Sequence, residues 1–172
     1  LVWWKSGPDW VLAARDLNWQ DAGLNIMLDS QIQFYHSKNA PMLNLAARIA
    51  PFDFKTAKRF WLRNSMPDSS IRWLDMALVK GQIRDASIVM AGDLGRWPFT
   101  DKAGRFSARA TILAEQFKFA ADWPEAQNAK LFTDFNGTGF TAIGTASFLG
   151  NPIELKTSGI ESFAKSDLKV NV

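Results

Sequence analysis

The chain has 172 residues, 47% of them hydrophobic and 22% charged, with a net charge of +3 and no block of like charges. That length suits one domain with its own core rather than two, the composition excludes general disorder, and the scattered charge argues against a nucleic-acid binder, which carries a basic stripe. The absence of cysteine removes disulfides, thiolate metal sites and a cysteine nucleophile.

Eight Trp and thirteen Phe stand against one Tyr, a balance that suits dry, greasy surfaces. No apolar run reaches the roughly 18 residues that a membrane-spanning helix requires. No secretory leader is visible. The chain starts at Leu1 and reads as a segment of a longer protein, with any membrane anchor outside it.

The first 52 residues alternate as strands do. Trp10, Leu12 and Ala14 share one parity; Leu24, Ile26, Leu28, Ile32 and Phe34 share another run; Leu43, Leu45, Ala47 and Ile49 form a third. Alternation places each set on one face of a sheet and the polar neighbours on the other. Turn residues separate the runs: Asp21, Ala22 and Gly23, then Ser37, Lys38 and Asn39 before Pro41.

Residues 53–80 change period. Phe54, Ala57 and Trp61 fall at helical spacing behind Asp53, an expected N-cap. After a break at 64–66, Pro67 opens a second helix carrying Ile71, Leu74 and Leu78, with Lys80 near its end and Gly81 as its stop. The pair predicts a helical hairpin. Lys55, Lys58, Arg59 and Arg63 read as its solvated face.

Residues 81–172 return to strands, expected at 82–90, 105–113, 129–135, 139–149, 153–158 and 167–172, with Phe117 and Phe119 continuing the second of them. Asn136 with Gly137 is the strongest hairpin signal; residues 150–152, and Ser158 with Gly159, mark further turns. In 139–149 one side reads Phe140, Ala142, Gly144, Ala146 and Phe148. Small residues bracketed by Phe leave room either for a ligand or for a packed helix.

Catalytic chemistry finds little support. His36 is the one histidine, which excludes a histidine-based triad of the usual kind and a multi-histidine metal site; it reads as an exposed strand-end residue. Asp16, Asp21, Asp122 and Asp134 show no pairing pattern and read as turn or edge residues. Residues 136–139, NGTG, lack the Lys-Ser/Thr ending of a phosphate loop and precede a strand. Trp3 and Trp4 suit an interfacial belt but read better as ordinary packing residues, and Trp97 to Phe99 as a loop that plugs one end of the sheet.

Five segments, in order, resemble the YhdP-type branch of the AsmA-like proteins: residues 41–54 (PMLNLAARIAPFDF); 73–81 (WLDMALVKG); 83–94 (IRDASIVMAGDL) with Trp97, Pro98 and Phe99; Gly104 to Phe106 with 117–124 (FKFAADWP); and the strand ending near 136–139. The series spans about residues 41–150, and no one segment is a catalytic fingerprint. The resemblance implies a long periplasmic protein anchored in the inner membrane, an extended β-groove apolar inside and polar outside, and phospholipid movement toward the outer membrane. It brings no catalytic residues.

The expected fold is therefore mostly β with a helical hairpin (α+β): an antiparallel, meandering, strongly curved sheet forming part of an extended groove. The expected function is a non-enzymatic lipid conduit without cofactor or metal. Phe106, Ala108, Ala110, Ile112, Phe140, Ala142, Ala146 and Phe148 are the expected lipid-facing residues. Partners would be phospholipid acyl chains and neighbouring groove segments of the same protein, with no nucleic acid. The alternative is a protein-binding scaffold of the envelope that works through sheet-edge or helix contacts. Whether the helical hairpin caps the groove or packs outside it is open from sequence.

Overall fold

Alternating runs become strands when their apolar parity can be shared with neighbours, and here it is shared across the described strands. The structure, a computed structural model, describes residues 1–37, 40–61, 68–99, 101–136, 139–157 and 168–171. Within them the strands are β1 (Val2–Ser6), β2 (Asp9–Asp21), β3 (Leu24–Phe34), β4 (Met42–Ile49), β5 (Phe52–Asp53), β6 (Leu78–Asp93), β7 (Arg105–Phe117), β8 (Ala126–Asn136), β9 (Gly139–Phe148), β10 (Asn151–Thr157) and β11 (Leu168–Asn171). The sheet order is β1-β2-β3-β4-β6-β7-β8-β9-β10-β11, with the two-residue β5 pairing on β6. Every pairing is antiparallel. The sheet is a curved meander that does not close into a barrel.

Short turns set the register. Ala22 and Gly23 both take positive φ (44° and 94°), as do Leu149 and Gly150 (50° and 82°). Two consecutive positive-φ residues make the tight hairpin whose twist matches its strands. The second turn thus lies one residue earlier than the expected 150–152, and Asn151 and Pro152 already belong to β10. β1 was not expected; its backbone pairs along β2 from Val2 to Ser6. The expected signals at Lys38 and Asn39, 64–66, Pro67, Gly137, and Ser158 with Gly159 lie outside the described residues, as do Arg63, Asp167 and Val172.

The helices are α1 (Phe54–Arg59) and α2 (Asp68–Ala77). Asp53 caps α1 as expected: its side chain accepts the Thr56 N–H at 2.7 Å. That bond holds the Asp53 carboxyl below its ordinary value. α2 ends differently from expectation. It stops at Ala77, and Leu78 to Lys80 already belong to β6. Gly81 is no helix cap. It sits at a strand irregularity where an added Cβ would lie 2.2 Å from the Leu113 carbonyl and 2.8 Å from the Phe54 ring. Lys80 instead pairs with Glu115 on β7. Lys58 is not simply solvated either; its ammonium donates to the Asp75 carbonyl at 2.7 Å, tying α1 to α2. The Trp61 indole adds a second tie, to the Asp75 carboxylate at 2.9 Å.

Candidate functional site: one apolar face, half covered

Residues opposite one another in an antiparallel ladder lie on the same side of the sheet, so register carries one face across all strands. From β1 it runs Trp3 to Leu12, Leu12 to Ile32, and Ile32 to Leu43. From β4 it runs Ala47 to Ile88, Ile88 to Ala108, and Ala108 to Phe135. From β8 it runs Leu131 to Gly144, and Gly144 to Leu155. The opposite face is more polar over the same ladders, with Gln31, Asn44, Arg48, Ser87, Arg109, Asp134, Thr141 and Lys156, although Trp4, Val11, Met27, Val89, Phe132 and Ile143 also fall on it.

A strict period of two would break this face at several places, at β6 and β7 near Gly81 and Glu115 among them, and three of the breaks share one device. Ala14 and Leu17, Ile83 and Ala86, and Ala126 and Ala129 are each three residues apart, so regular strands would put them on opposite sides. Each pair brackets a polar residue followed by Asp or Asn at positive φ: Asp16 (48°), Asp85 (52°) and Asn128 (51°). At each site the ladder to one neighbouring strand skips. The extra residue of a bulge shifts the parity, and Asp and Asn tolerate the left-handed backbone better than most residues. The signal was in the sequence as three tetrads: ARDL, IRDA and AQNA.

Both ends of the C-terminal part of this face are covered. At one end Phe54, Ala57, Ala77 and Leu78 form a core cluster with Ile83, Ala86, Ala114, Phe117, Ala129, Leu131, Ala146, Ile153 and Leu155. The helices therefore pack on the apolar face, not on its polar back. Phe117 and Phe119 meet edge-on at 4.7 Å, and the Trp73 indole donates to the Phe119 carbonyl at 3.0 Å. At the other end the loop after β6 folds over the face. Phe99 is buried between Gly92 and Gly104, where an added Cβ would fall 2.8 Å and 2.4 Å from its ring. Trp97 stands edge-on to Phe99 and to Phe106. Arg96 and Asp101 clamp the loop base; a bond from the Ala103 N–H holds the Asp101 carboxyl below its usual range. This is the plug expected from Trp97 to Phe99.

The expected lipid-facing residues all fall on this face by register. Phe106, Ala108, Ala110, Ile112 and Phe148 are partly exposed, while Ala142 and Ala146 are buried; Phe140 holds the ladder position opposite Phe135. Gly144 is small for the sheet's own sake, because a Cβ there would lie 1.9 Å from the Lys130 carbonyl at the β8 bulge. Sequence reasoning did not assign the N-terminal part of the same face to the site; α1 reaches it at the β2–β3 turn, where Arg59 donates to the Ala22 carbonyl. In that part of the face Trp3, Trp10, Trp19 and Phe34 are exposed, and Leu12, Ile26, Leu28, Ile32, Leu43 and Leu45 are half-buried.

Groups with other chemistry stay dispersed. No set of three or more metal-binding side chains gathers among the described residues. His36 is exposed and binds Asp9 through its backbone N–H. Asp16 lies on a bulge and Asp134 pairs with Arg109 at 2.9 Å. No helix among the described residues is long and apolar enough to cross a membrane.

The chain is 26% identical over 103 residues to the "Intermembrane phospholipid transporter YhdP" of Escherichia coli (strain K12), a match covering 60% of this chain and 8% of that protein. The matched stretch is thus a small part of the relative's length. No solved structure matches the chain. The family model described as "YhdP protein" matches residues 1–172, end to end, and the chain belongs to the YhdP family.

Proposed function

We propose that this chain is a non-catalytic length of wall in a lipid conduit of the bacterial periplasm, holding phospholipid acyl chains against its apolar face as they pass between inner and outer membranes. The observation that carries the reading is the continuity of that face through its register irregularities, three of them parity-restoring bulges at Asp16, Asp85 and Asn128. The named role of the E. coli relative supports it. Each CH₂ kept from water is worth about 0.8 kcal/mol, so a continuous apolar wall suffices and no reacting group is needed. In this reading Phe106, Ala108, Ala110, Ile112, Phe140 and Phe148 line the wall near the plug and helices, backed by Ala142 and Ala146. The open stretch over β1 to β4 offers the accessible surface. Neighbouring groove segments would continue the sheet at its edge strands, with the inner-membrane anchor elsewhere in the full protein.

The test is lipid content. The purified chain is expected to carry phospholipid detectable by mass spectrometry. The double variant Ile32→Asp/Leu45→Asp, two half-buried positions on the open stretch, is expected to lose it by at least about tenfold while keeping its sheet signal in circular dichroism. Lipid-free wild-type chain bound to a stable protein partner would instead favour the scaffold alternative.

A further inference from the structure

Lys5 occupies a singular position on the apolar face. Among the described ladder positions of that face it is the one lysine or arginine. It stands opposite Trp10, next to the turn that joins β1 and β2. Trp3 lies diagonally across the same pair of strands, its ring 5.0 Å from that of Trp10, and Trp10 in turn stands opposite Phe34. Trp3, Trp10 and Phe34 are 68%, 44% and 47% exposed. The result is an aromatic shelf beside a cation, open to solvent.

Its donors give the shelf a direction. The indoles of Trp61 and Trp73 donate to Asp75 and Phe119. Those of Trp3 and Trp10 donate to no described residue, and Lys5 forms no ion pair with a described carboxylate. Asp9 is the nearest carboxylate in sequence. It stands opposite Ser6 rather than on the Lys5 side, and it accepts from Gln33 and from the His36 N–H. The corner thus offers one ammonium and two indole N–H donors next to apolar rings. Tryptophan favours the boundary between apolar and wet surroundings, and a lysine near such a boundary attracts lipid phosphate.

We infer that Lys5, Trp3 and Trp10 hold the phosphate and ester end of a phospholipid whose acyl chains lie across the strands over Leu12, Ile32 and Leu43. The inference rests on the lipid reading above and adds a headgroup-proximal site to it. Charge complementarity selects an anionic group, and the adjoining shelf selects one attached to apolar chains.

The experiment uses the purified chain with vesicles of phosphatidylethanolamine and phosphatidylglycerol whose acyl chains are brominated, and reads quenching of tryptophan fluorescence. Wild type is expected to be quenched. Trp3→Phe/Trp10→Phe should lose most of the quenchable signal while keeping its circular dichroism. Lys5→Glu should weaken apparent affinity by about tenfold, and Lys5→Arg should restore it. Inorganic phosphate should not compete beyond a sodium chloride control of equal ionic strength. Wild-type quenching that survives both the tryptophan and the lysine substitutions would overturn the site and leave the conduit reading intact. Full competition by inorganic phosphate would make the corner a phosphate site and overturn the inference. Absence of quenching together with absence of co-purified lipid would overturn both.

Discussion

The two halves of the apolar face obey the same binary pattern and meet different fates. Over β6 to β10 two helices and an aromatic plug cover the two ends of the face and leave Phe106, Ala108, Ala110, Ile112 and Phe148 partly exposed between them; over β1 to β4 most of it stays in the open, with Ala14, Leu24 and Ala47 buried. Leu78 in the first region is 1% exposed, whereas Trp10 in the second is 44% exposed. Alternation specifies which residues share a side. It does not specify what, if anything, lies on that side. The covered ends behave as an ordinary core, whereas the open stretch keeps large apolar side chains at the surface.

That contrast can be broken most forcefully at Leu78. Leu78→Ala should cost about 3 kcal/mol in urea unfolding, while Trp10→Ala should cost less than about 1 kcal/mol. Equal losses would mean that the open half is not open. Gly144→Ala, which pushes a methyl group into the Lys130 carbonyl, should cost about 2 kcal/mol; a neutral outcome would show that β8 and β9 can separate there without penalty. At the bulge, Asp85→Val should cost about 1.5 kcal/mol because a β-branched residue resists positive φ, whereas Asp85→Gly should be close to neutral; the two midpoints, measured side by side, test the parity device. Asp53→Ala should cost about 1 kcal/mol. The Asp53 carboxyl is held below its ordinary value by the Thr56 N–H, so its contribution is complete above the unfolded carboxylate pKa and fades as pH falls through the lower folded one. The gap between wild type and Asp53→Ala should therefore narrow in acid; a gap that widens would reverse the assigned sign.

Much of this architecture was legible in the residues. The runs from Leu24 to Phe34 and from Leu43 to Ile49 keep strict parity, and both became strands at close to the expected bounds. Asp53 capped the helix that Phe54 and Ala57 outline. Parity failed as a guide where the backbone leaves the regular pleat. A tetrad such as Ile83 to Ala86 looks out of phase until a left-handed Asp85 turns the strand over. Gly81 looked like a helix stop because glycine suits both a left-handed cap and a crowded strand, and only the approach of Phe54 and Leu113 separates the two. The small residues of β9 invited a ligand for the same reason: smallness is visible in sequence, but its cause, a neighbouring carbonyl at Gly144 or the core beside Ala146, is not. Trp3 and Trp10 were each visible in the sequence, but their meeting in one shelf was not, because β1 is only five residues long and alternates too briefly to stand out.

The most direct measurement of the central claim is photo-crosslinking in cells with the full-length protein, placing a benzophenone side chain at Ile32 or Leu45 and at their strand neighbours Gln31 or Asn44. Lipid adducts, detected by mass spectrometry, are predicted from Ile32 and Leu45 and not from the residue one position away. Equal adducts from both parities, or adducts from Gln31 and Asn44 alone, would contradict the assignment of this face to lipid.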